Sequence, residues 1–371
     1  MHALRLIGLL FTFAAPAAMA QFAWDKAEWP KTDFSRHSID LREIQSGGPR
    51  KEGIPAVDRP RFDSVGAAQS WLRPREPVIA VRLGNDARAY PLQVLMFHEI
   101  VNDQIGGRPV VVTFCPLCNA SMVFERRAGA AVLSFGTTGM LRKSDLVMYD
   151  RQTESWWQQF TGTGIVGRYA NTALERLPSQ IVSFEEFAAT FPGGKVLTRD
   201  TGFERPYGRN PYVGYDSIDR TPLLFGDTVD KRLPPMERVI SVTVGKRQRI
   251  YPFGALEKTP VINDELDGEP IVIVSSGGMA SPLDQEQMER GRRIPAAAAF
   301  SRRIDGQVSD FASRHGKIVD LATGSEWSLF GEAVAGRLKG KRLVPLDSGV
   351  HFAFAWLAFN PDSEIWRAPG R

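Results

Sequence analysis

Cysteine is nearly absent: Cys115 and Cys118 are the only two in 371 residues. A disulfide-stapled fold is thereby excluded, as is an iron or zinc site with four sulfur ligands from one chain. Excess charge of one sign is also missing. With 46 basic and 42 acidic residues the formal net charge is +4, and no basic stripe of the kind that tracks a nucleic acid stands out. The short clusters at Lys246-Arg247, Arg290-Gly291-Arg292-Arg293 and Lys339-Gly340-Lys341-Arg342 read as solvated surface. Phosphate-binding loops, dinucleotide fingerprints, HExxH and GxSxG are missing, and Asn119 after Cys118 breaks the haem-attachment pattern CxxCH. Neither a nucleotide nor a haem is expected.

Long apolar runs are confined to the start. Residues 1–20 read as a secretory signal peptide, with Arg5, an apolar stretch from Leu6 to Phe13 and the cleavage-type Ala18-Met19-Ala20. The stretch is too short to span a bilayer, and no later run would cross one. No cysteine follows the cleavage point, so lipid attachment there is excluded. The expected product begins at Gln21, is periplasmic or secreted, and has no transmembrane segment and no nucleic-acid partner.

What is present is one pattern written twice. At a constant offset of 161, Val78 to Phe114 aligns without a gap to Val239 to Ser275, with thirteen identities in 37 positions. About two would be expected from average residue usage. The kept residues shape the backbone, as in Gly84/Gly245, Tyr90-Pro91/Tyr251-Pro252, Asn102-Asp103/Asn263-Asp264 and Pro109/Pro270. At offset 170, Asp150, Thr153, Ser155, Trp157 and Phe160 reappear as Asp320, Thr323, Ser325, Trp327 and Phe330. The differences are chemical: His98 becomes Thr259, Glu99 becomes Pro260, Cys115 becomes Ser276 and Cys118 becomes Met279. One copy therefore carries a set of reactive groups that the other lacks.

Short β-branched and aromatic runs bounded by turn residues predict a mainly β protein with a few short helices. Each module is expected to be a bent antiparallel sheet or open barrel, the pair related by a pseudo-twofold. The expected organisation is an irregular lead-in over 21–75, module one over 76–195, an aromatic, turn-rich connector over 196–237 and module two over 238–365. The lead-in carries Phe22, Trp24, Trp29 and Trp71, aromatics that favour a segment pinned to module one. Helices are expected from Tyr90-Pro91 to Met96, from Phe184 to Phe191 and from His351 to Phe359. Module one has six extra residues within Gly136 to Asp145, a candidate site-lining loop or a hairpin extension. Module two has about fifteen extra near Ser281 to Pro295, of no evident role. The connector tyrosines read as packing between modules, or as a binding loop.

Two thiols spaced i, i+3 can close a small disulfide, exchange electrons or hold a soft metal. As a staple the pair is weak, at about 2 kcal/mol for so small a ring. Redox exchange suits Cys-Pro-x-Cys, but the residues after Cys118 read as a strand, not the helix of a thioredoxin-like fold. Metal binding needs more ligands, unless the ion is Cu(I). His98 is the expected third ligand beside Cys115 and Cys118, with Glu99, Asp145 and Met148 as supporting residues. Met96, Met122 and Met140 read as core fillers. Glu99 or Asp145 could serve as base if the metal were a catalytic zinc. His351 reads as helix-start structure, with a cross-module ligand role as the alternative. The leading expectation is a soft-metal site, copper or zinc with copper favoured. A thiol–disulfide oxidoreductase using Cys115 and Cys118 and a secreted scaffold with an inert disulfide stand as alternatives, so whether the protein is an enzyme stays open.

Several motifs together carry a resemblance. They are Ser46-Gly47-Gly48-Pro49, Gly53-Ile54-Pro55-Ala56, Ala89-Tyr90-Pro91, His98-Glu99-Ile100-Val101-Asn102-Asp103, Thr113-Phe114-Cys115-Pro116-Leu117-Cys118, Ser144 to Ser155 and His351 to Trp356. In this combination the chain resembles the secreted prokaryotic domain-of-unknown-function family 3179. The resemblance implies no activity. Family members commonly have Gly-Thr after the second cysteine and Ser-Gly in the glycine-rich loop, where this chain has Asn119-Ala120 and Thr138-Gly139.

Overall fold

The computed structural model describes residues 26–368. The signal-peptide reading of residues 1–20, and Phe22 and Trp24 of the lead-in, lie outside the described residues. The fold is mainly β, with five short helices and several open sheets; no closed barrel forms among the described residues. Among the described residues no helix is long and apolar enough to cross a membrane.

Besides a small two-stranded ribbon, Arg127–Ala128 with Ala131–Val132, the first half builds three larger sheets. Ser179–Ser183, Pro77–Leu83, Asp86–Pro91, Lys195–Leu197 and Phe62–Ser64 form one; Ile100–Ile105, Arg108–Cys115 and Ala120–Glu125 form a second. The third joins Ile44–Ser46, Phe135–Arg142, Asp145–Asp150, Trp156–Gln158 and Thr163–Val166. In the second half, the central pairings fall at the same registers. Val78 faces Pro91 as Val239 faces Pro252, and Ile100 faces Thr113 as Val261 faces Val274.

Conserved side chains explain the shared scaffold. Asp103 is buried and accepts from Arg88 at 2.7 and 2.8 Å and from the Tyr90 hydroxyl. Asp264 likewise accepts from Arg249 at 2.6 Å and Tyr251 at 2.7 Å. A buried carboxylate must be paired to be tolerated, so each clasp ties the strand carrying the Arg and Tyr to the next sheet. A second clasp sets the tight turn after Asp150 and Asp320. Each aspartate accepts from the backbone N–H three residues on and from an indole, Trp157 at 3.0 Å and Trp327 at 3.1 Å.

Helices form at the three expected places, Leu92–His98, Phe184–Thr190 and Ala353–Phe359, the first and third starting later than expected. Tyr90-Pro91 and His351-Phe352 belong instead to the ends of the preceding strands, facing Ile79-Val78 and Val239-Arg238. The lead-in is pinned as its aromatics suggest. Trp29 is buried against Tyr149 and Trp156 at ring distances of 5.1 and 4.9 Å, and the lead-in's two strands edge sheets of the first half.

The two halves share a core in which Phe352 to Leu357 pack with Leu117, Cys118 and Phe160. The Phe352 N–H donates to the Cys118 carbonyl at 3.0 Å. Module two's extra residues acquire a role here, since they hold the connector. Asn210 N–H donates to Glu286 O, Gly214 N–H to Asp284 O and Tyr215 N–H to Leu283 O, at 2.7, 2.8 and 3.1 Å. Beneath them the buried Asp216 is gripped by Arg238, Arg292 and Ser281.

Candidate metal centre

Cys115 ends the strand Arg108–Cys115 and faces Ala120 across the hairpin, so Cys-Pro-Leu-Cys-Asn is the hairpin's tip. Asn119 closes it in the left-handed region at φ 48°, with its N–H on the Pro116 carbonyl at 3.2 Å. Asparagine is among the few side chains that tolerate this conformation. In the second half Glu269–Ala280 runs on as one long strand, with only a register shift between Ser276 and Met279, and forms no such tip.

The glycine-rich stretch of module one forms a hairpin, Phe135–Arg142 with Asp145–Asp150, that reaches the thiols. Lys143 and Ser144 turn it at φ 54° and 66°, as a two-residue loop of the primed type demands. This points the Ser144 carbonyl at both sulfurs, 3.7 Å from Cys115 Sγ and 3.5 Å from Cys118 Sγ. Gly139 permits the approach of the lead-in, since a Cβ there would stand 2.0 Å from the Pro49 carbonyl oxygen.

The next residue, Asp145, completes a cluster. One ligand atom from each of Cys115, Cys118 and Asp145 lies within 4.8 Å of the others, and all three residues are buried. Asp145 Oδ2 is fixed by the Gln158 amide at 2.6 Å and the Phe160 N–H at 2.9 Å. Oδ1 is buried with no hydrogen-bond partner, and the two thiols bear on the carboxyl only as weak donors that lower it slightly. The sulfurs are 4.0 Å apart, about twice a disulfide bond length, and both cysteines are free. The inert disulfide expected of a scaffold protein does not form.

The electrostatics are one-sided. Burial pushes the Asp145 carboxyl up to about 7, against the hydrogen bonds from Gln158 and Phe160. Glu99 rises to about 8 through burial and the neighbouring Asp145. Burial raises both thiols as well, and Asp145 adds to the rise in each. The charged groups that act most strongly on these four are one another, and no cation is among them.

His98, the expected third ligand, lies outside this group. Its Nδ1 is bound to the Pro55 carbonyl at 2.7 Å and its Nε2 to the Tyr207 hydroxyl at 2.6 Å, so neither nitrogen has a lone pair to spare for an ion without breaking that clasp. Glu99 occupies the helix C-cap at φ 55°, buried beside the cluster. Met148 is buried in the main core opposite Trp157; strand alternation puts it on the face away from Asp145. His351 is fully buried, stacked on Trp356 at 5.4 Å and against Phe160 at 4.8 Å. It is outside the cluster too.

Connector residues, read from sequence chiefly as packing, cover the site. The Tyr215 hydroxyl donates to the Leu117 carbonyl and accepts from the Leu223 N–H, both at 3.1 Å. Tyr212 is raised first by burial and then by Glu99 and Cys115, which places its phenol against the acidic cluster. Ser144 donates its hydroxyl to the Leu223 carbonyl at 2.6 Å. No local periodicity could have located these tyrosines, because their position depends on module two's insertion.

Open β sheets framing a closed two-thiol, one-carboxylate cluster define a β protein with a candidate metal centre. Residues 51–363 match the family described as Protein of unknown function (DUF3179), and the chain belongs to that family. No curated protein and no solved structure matches it.

Proposed function

We propose that this protein binds a divalent transition metal in its first half, with the Cys115 and Cys118 thiolates and Asp145 Oδ1 as three ligands and Glu99 beside them. The observation that carries the reading is Asp145 Oδ1 itself, a buried carboxylate oxygen without a hydrogen-bond partner, beside two thiols 4.0 Å apart. Two thiolates on one tetrahedral zinc, each about 2.3 Å from the ion, would stand about 3.8 Å apart. The carboxylates change the preferred metal. Cu(I) favours sulfur alone, whereas zinc accepts mixed sulfur and oxygen ligands, so zinc is favoured over the copper that the cysteines alone suggest. Four buried acidic groups without a cation are costly; a divalent ion would supply the missing charge.

Burial also separates this reading from thiol–disulfide exchange. Cys115 is 2% exposed and Cys118 0%, and an exchange partner must reach a sulfur in line. A closed site fits metal retention better than turnover, and the signal-like residues 1–20 would put this retention in the periplasm or outside the cell. The test is elemental analysis of the chain purified from its native compartment, beside a Cys115→Ser, Cys118→Ser variant. Close to one equivalent of zinc in the wild type and loss in the variant support the reading. Less than about a tenth of an equivalent of any transition metal, after anaerobic loading of the reduced chain, overturns it.

A further inference from the structure

One cleft lies away from the thiols, where the two halves meet. It encloses about 630 Å³ between Ala80 to Arg82 and Ser179-Gln180 of the first half and Phe300, Phe330 and Leu343 of the second. That is the size of an ordinary small-molecule site. Its walls are apolar, but three guanidiniums, Arg82, Arg176 and Arg342, open onto it.

These arginines are not equally satisfied. Arg176 is settled, paired with Asp347 at 2.8 Å and donating to the Ser348 carbonyl at 3.0 Å. Arg82 and Arg342 must share a single oxygen, Glu332 Oε2, at 3.6 and 3.4 Å. Neither distance is a good hydrogen bond. Arg82 otherwise donates only to the Gly84 carbonyl, and the Arg342 guanidinium makes no hydrogen bond to another described residue. Two cations thus meet one carboxylate, with planar donor edges left over that suit bidentate recognition of an oxyanion.

A second depression, beside Asp216, lacks this imbalance: it is lined by Arg238 and Arg292, already committed to that carboxylate.

We infer that the cleft between the halves is a binding site for a small aromatic or acyl carboxylic acid, its carboxylate held by Arg82 and Arg342 and its apolar body lying on the partly buried Phe191 and Phe330. This site does not depend on the metal reading.

The experiment is calorimetric titration of the full chain with 2-naphthoate and with its neutral carboxamide. The acid is expected to bind saturably below about 1 mM, and the carboxamide about tenfold more weakly or not at all. An Arg82→Gln, Arg342→Gln variant should lose about tenfold in affinity for the acid; Arg82→Lys, Arg342→Lys should keep part of it. Cys115→Ser, Cys118→Ser should bind the acid like wild type, so failure at one site is distinguishable from failure at the other. Absence of saturable binding, equal affinity for acid and carboxamide, or an undiminished double Gln variant would each overturn the inference. The carboxamide comparison uses wild type alone and holds even if a variant fails to fold.

Discussion

Tyr215 donates its hydroxyl to the Leu117 carbonyl at 3.1 Å, inside the Cys-Pro-Leu-Cys tip. One phenol therefore latches the connector onto the turn that carries both thiols. Its own backbone is held by Leu283 of the second half, so burial of the thiols depends on residues nearly 170 positions away in sequence.

Removing the latch should loosen the cover without unfolding the protein. Tyr215→Phe deletes one buried hydroxyl that serves two hydrogen bonds, a loss of about 1–2 kcal/mol. If opening of the connector limits access to the thiols, alkylation of the metal-free chain by iodoacetamide should speed up about tenfold. An unchanged alkylation rate would mean that the thiols are reached by another route.

Asp145→Asn separates a metal ligand from a structural acid. The amide that replaces the carboxylate could still receive the Gln158 and Phe160 hydrogen bonds on its carbonyl oxygen, while the buried charge is removed. Metal retention should fall about 100-fold or more, and the metal-free chain should keep its melting temperature or gain a few degrees, because an unpaired buried carboxylate is a net cost. A metal-free variant several degrees less stable than wild type would assign Asp145 to the scaffold.

His351 sets an acid limit on stability. Burial, and then the Arg176 charge, hold its pKa well below the usual value, and both ring nitrogens lack partners. As the pH falls through about 6.5, the unfolded chain binds a proton that the folded chain refuses. The contribution is thus present above pH 6.5 and lost below it, by about 1.4 kcal/mol per pH unit. Denaturant titrations at pH 7 and pH 5 should show His351→Phe losing about 2 kcal/mol less than wild type over this range. Equal losses would show that the ring is not held neutral.

Most of the strand plan was legible because its determinants are local: β-branched runs, glycine turns and residues kept at a fixed offset. The contrast between the two halves of the sequence singled out Cys115, Cys118 and His98 together, whereas the structure groups the two thiols with Asp145 and leaves His98 outside. Thr259-Pro260 replaces His98-Glu99 for a backbone reason, since proline cannot adopt the left-handed φ that Glu99 uses to cap its helix. Loss of His98 from the second copy thus tracks the rebuilt cap rather than lost metal chemistry. Asp145 was signalled by the insertion peculiar to module one, but which of its residues meets the thiols depends on the turn at Lys143-Ser144 and on pairing with Gln158. The connector's role was illegible for a similar reason, because its partners Leu283, Asp284 and Glu286 lie in an insertion that has no counterpart in module one.

X-ray absorption at the zinc K-edge of the loaded, reduced chain tests the central claim most directly. The account predicts about two sulfur neighbours at about 2.3 Å and about two oxygen neighbours near 2.0 Å, with no imidazole scattering. Asp145→Asn should change the oxygen shell and leave the sulfur shell in place. A spectrum with imidazole neighbours, or with no sulfur in the first shell, would contradict a site made of Cys115, Cys118 and Asp145.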